Sequence, residues 1–364
     1  MALIHVVIPV YNAKRFLRET VASVLNQSCK DIDIVLVNDG STDGSADLCD
    51  ELAAAESRVS AIHQRNQGVS AARNAGIEYF LRNQAEGYVA FLDADDLWCE
   101  KMFTPELVQC LAERSGIDVC VFDGVSATED LVRYSHPKQY QESCFDGGNG
   151  VIWKLQGHFC ANLYSFRLLK KWHIRFREGL KYCEDKIFML QCGFLAEKVQ
   201  FMPQLMHIYR QNASSAMGVS SRIPPVEYYT PIIDGWIASN LFLNSCEPET
   251  GKSTNAGFIL AGIYFLDMAK DHFKRWKHPG DLEPAKAHPY YYLFENMQEN
   301  CVSPKQYKDN KLLLEHPLRY RWKYRIIGAV ESVVRVALQI KPIHQFREKR
   351  KYPLTELPRQ EGNL

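Results

Sequence analysis

Three aspartates fall within four positions of the stretch GYVAFLDADDLW, residues 87–98: Asp93, Asp95 and Asp96. An apolar run leads straight into them, so a buried strand delivers the charge to its own end. Two carboxylates two residues apart at a strand end can share one hard cation. Mg2+ or Mn2+ suits such oxygen donors and keeps water and phosphate oxygens in the rest of its shell. The competing reading is a helix start, with an aspartate capping a helix that begins at Leu97. A cap needs one carboxylate, and Asp96 is the one expected to serve. Asp93 and Asp95 are then left for a ligand.

A second acidic pair, Glu184–Asp185, sits in KYCEDKIFML. Adjacent carboxylates at a helix start point in different directions, so one can face a pocket while the other does not. The alternative is a solvated helix N-terminus, where acids favour the dipole. Further on, MHIYR carries His207 and Arg210 at the end of a strand-like run. A lone histidine is more often structural than a metal ligand. Arg210 suits the charge of a diphosphate.

The elements that must position these groups follow from periodicity. Residues 3–8, 31–37, 59–63 and 88–92 read as short strands. Between them, residues 17–25, 43–55 and 70–81 carry helical spacing. Strands alternating with helices of this length give β-α-β units and a parallel sheet, whose ligands bind beyond the carboxyl ends of the strands. The segments there are PVYN, NDGS, QRNQG and DADD, so the acidic stretch becomes one wall of a pocket. Further along, 104–113 reads as a helix, 118–122 as a strand and 123–150 as a mobile loop. Helices are expected over 155–172 and 183–195, and a strand over 201–210. Residues 224–317 are aromatic and mostly helical between prolines.

Composition narrows the class. The chain has 364 residues, with 43 Lys+Arg against 43 Asp+Glu, which argues against a nucleic-acid footprint over the whole chain. Eleven cysteines without a C-x-x-C pair read as free thiols in a reducing cytosol. The N-terminal MALIHVVIPVYN reads as a first strand and not a signal peptide, and no run approaches the roughly 20 apolar residues of a membrane span. No G-x-G-x-x-G follows the first strand, which disfavours a dinucleotide oxidoreductase. The same stretch lacks the glycines a sugar nucleotidyltransferase would use.

In order along the chain, VVIPVYNAKRFLRETVASVLNQS, DIVLVNDGSTDGS, NQGVSAARNAGI and YVAFLDADDLW resemble the family 2 glycosyltransferases, and CEDKIFM fits their Glu-Asp element. The resemblance covers about the first hundred residues and says little beyond 215. It implies a GT-A fold: α/β, a Rossmann-like mostly parallel sheet flanked by helices. It also implies a nucleotide-sugar donor, Mn2+ or Mg2+, and inversion at the anomeric carbon. By the same resemblance, Pro9, Tyr11 and Asn12 hold the nucleotide base, and Asp39 hydrogen-bonds it, which favours uracil and a UDP-sugar. Gly68 and Arg73 lie on the nucleotide side, with Arg73 reaching base or phosphate. Asp93 stands near ribose and donor sugar, Asp95 is the direct metal ligand, and Asp185 is the catalytic base, with Glu184 as neighbour or alternative. Structural roles compete at several of these positions: Tyr11 as a packed turn aromatic, Arg73 as the partner of an acid, and Asp43 as a cap.

The expected organisation is a catalytic domain over 1–215, an appended helical region over 216–317 and a basic amphipathic tail over 318–364. Between Arg319 and Lys351 ten basic residues face only Glu331 and Glu348, a net charge of +8. Beside an apolar helical stripe, these bases suit an anionic membrane surface; packing of that stripe on the protein is the alternative. The implied activity is a single sugar addition to a glycan or lipid-linked acceptor, in the cytoplasm or at the inner face of the membrane. No Q-x-x-R-W element of processive polymerases is present. The non-enzymatic alternative is a nucleotide-binding pseudoenzyme or scaffold.

Overall fold

In a computed structural model of the chain, the short apolar runs of the N-terminal part form a parallel sheet, buried on both faces along residues 4–10, 32–39 and 88–91 and only partly buried at the edge, residues 59–64. Residues 3–212 are described, apart from a few positions between 115 and 181, together with 225–252 and Lys308. The expected basic tail and most of the helical region lie outside the described residues. The residues described, save Lys308, fall within one compact unit, Met1–Leu260.

The first half alternates strand and helix. It runs β1 (Ile4–Val10), α1 (Lys14–Leu25), β2 (Ile32–Asp39), α2 (Ser45–Ala55), β3 (Val59–Gln64), α3 (Val69–Arg82) and β4 (Tyr88–Phe91). β1 pairs in parallel with β2 and β4, and β2 with β3. Parity along β1 divides the two faces. Ile4, Val6, Ile8 and Val10 join the core under α1 and α2, with Leu17, Val21, Leu48 and Leu52. Val7 meets α3 on the other face, where Gly76 lets the backbones close up: a Cβ there would lie 2.3 Å from Val7 Cγ1. That contact explains the small residues of SAARNAGI. Pro9 pairs with Val37 of β2 but lies beyond the β4 pairing, which ends at Val7 and Phe91, so a missing N–H is tolerated there.

The second half is mixed. β5 (Leu97–Trp98), α4 (Pro105–Glu113), β6 (Ile117–Thr128), β7 (Ser143–Asp146), β8 (Asn162–Ser165), α5 (Phe166–Lys171), α6 (Glu184–Leu195), β9 (Lys198–Gln211) and α7 (Pro225–Thr250) follow. The sheet order is β3-β2-β1-β4-β8-β6-β9-β5, with β7 also on β9. β8 is antiparallel to both β4 and β6, β9 is parallel to β6, and β5 and β7 are antiparallel to β9.

Three expectations are corrected. Residues 155–172 are not one helix: a 3-10 turn at Phe159–Ala161 leads into β8, and an α-helix follows at Phe166–Lys171. β6 runs on to Thr128 and β7 occupies 143–146, so the stretch expected as loop carries part of the sheet. Leu97 begins a short strand and not a helix, so Asp96 caps nothing. Helix α7 packs on α6, where Gln191 Nε2 donates to Ser239 Oγ at 3.0 Å and Lys252 Nζ caps the α6 C-terminus on Phe194 O and Ala196 O. Among the described residues no helix is long and apolar enough to cross a membrane.

Candidate active site

The segments beyond β1, β2 and β3 are tied to one another before any ligand is considered. Ser41 Oγ accepts from Asn12 N at 3.1 Å, and Asn12 Oδ1 accepts from Thr42 N at 2.8 Å. Asp43 takes Lys14 N and Ser45 N, so it closes the start of α2 and the β1 loop together. This keeps Tyr11, 54% exposed, on a rigid base with its ring open to solvent.

Asp39 is buried at the end of β2 and holds the loop before α3. Its Oδ1 accepts from Gln64 Nε2 at 2.7 Å and Gln67 N at 2.9 Å, and its Oδ2 accepts from Gly68 N at 2.8 Å. An oxygen of this kind accepts about two hydrogen bonds, so Oδ2 retains capacity for a further donor. Gly68 enters α3 at φ +89° and ψ 164°, a conformation open only to glycine.

The three aspartates beyond β4 have three different partners. Asp96 turns inward and is fully buried, with Oδ2 2.8 Å from His207 Nε2 and Oδ1 accepting from Arg210 N at 2.9 Å. Burial pushes its carboxyl well above the usual range. Asp93 accepts from Arg73 Nη2 at 2.8 Å. Among the described residues the Asp95 side chain meets a neutral partner, with Oδ2 accepting from Asn212 Nδ2 at 2.5 Å. Burial, then the charges of Asp96 and Asp93, raise its carboxyl to about 7. Such crowded negative charge fits an oxygen-liganded divalent cation, which Asp95 could hold. His207 lies against Asp96, and burial lowers it to about 4, so the ring is neutral. Asp96, Cys160 and His207 bring possible ligand atoms within 4.8 Å of one another, but all three residues are buried behind the turn and two Asp96 bonds are already made within the protein.

Two arginines are placed differently from expectation. Arg73 is 3% exposed, with Nη1 on Glu184 Oε1 and Nη2 on Asp93 Oδ1, both at 2.8 Å. Its guanidinium is therefore taken up by protein carboxylates instead of reaching outward to base or phosphate. Arg210 is also buried: Nε donates to Asp95 O, Nη1 to Glu129 O and Nη2 to Glu19 Oε2, and its guanidinium lies 4.9 Å from the Phe16 ring centre. It holds the acidic turn against α1 and is committed away from a diphosphate.

At the start of α6, Glu184 is buried on Arg73, while Asp185 is partly exposed and accepts from Lys186 N at 2.7 Å. Glu184 is thus committed to an ion pair, and Asp185 is the carboxylate of the two that faces outward. Asn212, Gln64 and Gln67 were not legible as site residues, because each acts through a carboxylate supplied by another element. The one signal for Asn212 was its place just beyond MHIYR.

Residues 5–172 match the family described as glycosyl transferase family 2. The chain is 30% identical over 224 residues to a putative glycosyltransferase, EpsH, of Bacillus subtilis (strain 168), covering 58% of this chain and 62% of that protein. It is 31% identical over 228 residues to the glycosyltransferase GlyG of Streptococcus pneumoniae serotype 4, covering 59% of this chain and 73% of that one. The chain thus spans less than two thirds of the length of EpsH and more than two thirds of GlyG. Its fold matches that of S. aureus TarS residues 1–349, crystallised with UDP-GlcNAc, with a TM-score of 0.63 at 18% identity over 89% of this chain and 92% of that chain.

Proposed function

Because the chain belongs to glycosyl transferase family 2, we propose that it is an inverting, metal-dependent hexosyltransferase that moves a sugar from a nucleotide-sugar to a hydroxyl of a glycan or lipid-linked acceptor. The observation that carries this reading is the acidic turn. Asp95, raised to about 7, stands at the carboxyl end of the sheet, and its carboxylate has no cationic partner among the described residues. A divalent cation held by Asp95 would supply Lewis-acid stabilisation to the departing diphosphate. Tyr11 offers a ring for the base to stack on. Asp39 orders the loop to Gly68 and keeps acceptor capacity for a base N–H, and Pro9 and Asn12 fix the loop that carries Tyr11. Asp93, held by Arg73, lines the donor side.

Asp185 takes the proton of the acceptor hydroxyl. As the hydroxyl oxygen bonds to the anomeric carbon, the bond from that carbon to the diphosphate oxygen breaks and its electron pair leaves with the nucleotide. Attack from the face opposite the diphosphate inverts the centre. The first donors to test are UDP-sugars, since TarS, of the same fold, carries UDP-GlcNAc. The acceptor belongs to cell-surface polysaccharide, and the bases between Arg319 and Lys351 would hold the enzyme to anionic lipid at the inner face of the membrane.

The experiment pairs Asp95→Ala with Asp185→Asn. By calorimetry Asp95→Ala loses Mn2+-dependent UDP binding, while Asp185→Asn keeps it and loses sugar transfer. Unchanged Mn2+-dependent binding in Asp95→Ala removes Asp95 as the ligand, and normal turnover in Asp185→Asn removes the base. If the native protein binds UDP but transfers nothing to any acceptor, the pseudoenzyme reading replaces this one.

A further inference from the structure

Arg73 joins two parts of the site that come from distant stretches of the chain. It projects from α3, reaches Asp93 beyond β4 with Nη2, and reaches Glu184 at the first position of α6 with Nη1, both at 2.8 Å. Its guanidinium carbon lies 5.1 Å from the ring centre of Phe159 and 5.3 Å from that of Phe176. Phe176 in turn stacks on Phe188 of α6 at 4.1 Å and 2°. The arginine therefore rests against two mutually perpendicular rings, whose centres are 5.6 Å apart, while it bridges two carboxylates.

Burial works against its charge, but Asp93 and Glu184 overcome that and push its pKa above the ordinary arginine value. Nε is buried and has no hydrogen-bond partner among the described residues. A buried ion pair is weak evidence for stability, because desolvation offsets much of the attraction. What a forked, doubly bonded guanidinium does supply is fixed geometry. Here that geometry relates Asp93, on the donor side, to residue 184, whose neighbour along the chain is Asp185.

We propose that Arg73 is a positioning residue that locks the α6 N-terminus to the donor-side turn and so sets Asp185 in line for proton transfer. The proposal rests on the reading of Asp185 as the base. Arg73 makes no contact with the nucleotide; it acts through Glu184 and Asp93. A lysine at 73 can reach one carboxylate but cannot bridge both in a plane, and a misplacement of about 1 Å at a reacting group costs on the order of 100-fold in rate.

The test compares the full-length protein with Arg73→Lys, Arg73→Gln and Glu184→Gln. The readouts are UDP affinity by calorimetry with Mn2+, steady-state kcat and donor KM, and hydrogen exchange of the α6 amides. The expected result is UDP affinity and donor KM within about threefold of the native protein, kcat lower by about 10- to 100-fold, and faster exchange at residues 184–187. Arg73→Lys retains more activity than Arg73→Gln, and Arg73→Lys combined with Glu184→Gln is no slower than the slower single variant, because the pair acts as a unit. Loss of UDP affinity in step with rate would make Arg73 a nucleotide contact and overturn the proposal. So would an unchanged kcat, or fully additive losses. If Arg73→Lys does not fold, Glu184→Gln, nearly identical in shape, carries the same comparison. If the native protein shows no transfer, or Asp185→Asn transfers normally, the functional reading fails separately. The α6 exchange then decides the lock alone: faster exchange in the variants upholds it and unchanged exchange refutes it.

Discussion

Replacing Asp39 by asparagine isolates a feature that family resemblance alone would assign to base recognition. In the structure Asp39 also serves the protein, holding Gln64 Nε2, Gln67 N and Gly68 N at 2.7, 2.9 and 2.8 Å. An asparagine has one acceptor oxygen. If that oxygen keeps the two donors now on Oδ1, its NH2 group faces Gly68 N–H, donor against donor. One hydrogen bond to a charged group, of about 1.5–3 kcal/mol, is then lost, and the other two weaken as the charge disappears. The expected cost is about 3 kcal/mol in a urea titration without nucleotide. If UDP binds only when the loop from Gln64 to Gly68 is ordered, the same energy weakens its affinity by up to about 100-fold. A variant within about 0.5 kcal/mol of the native protein in urea, yet strongly impaired in UDP binding, would refute the loop-holding argument and leave Asp39 as a base reader alone.

Two further outcomes follow from buried contacts. Gly76→Ala puts a methyl group 2.3 Å from Val7 Cγ1, well inside contact distance, and is expected to lose about 1–3 kcal/mol in urea; adding Val7→Ala should recover part of that by opening the same space. His207 is neutral when folded, with burial lowering it to about 4 from about 6.5 in the unfolded chain. Between those values the unfolded chain binds more protons. The His207 contribution is therefore full above pH about 6.5 and is lost as pH falls toward about 4, about 3 kcal/mol in all. The stability difference between the native protein and His207→Gln, measured in urea, should shrink as pH falls from about 7.5 to about 4.5. A pH-independent difference would mean that folding leaves the His207 pKa unshifted, and a difference that grows as pH falls through about 7 would mean that the ring is protonated in the fold.

The parallel half of the sheet was legible because its cues are local. Each strand is a short apolar run, each helix has its own face, and close packing at Gly76 leaves small residues in the sequence. The mixed half was not. Asn162–Ser165 is a four-residue strand made by pairing with β4 on one side and β6 on the other, 70 and more residues away for β4, and its apolar spacing runs on into α5 as though helical. The site divides in the same way. The acidic turn could be found from its spacing, but the role of each aspartate depends on partners 20 to 117 positions away. Counting carboxylates overstates the ligands: Asp93 is answered by Arg73, and Asp96 by His207 and the Arg210 amide. Among the described residues Asp95 is the aspartate of the three whose carboxylate is held neither by an arginine nor by the buried histidine, which is why the proposed function assigns the outside cation to it. The same reasoning separates the acidic pair on α6. Glu184 is tied to Arg73 within the fold, and Asp185, beside it, is the partly exposed carboxylate that the proposed mechanism uses.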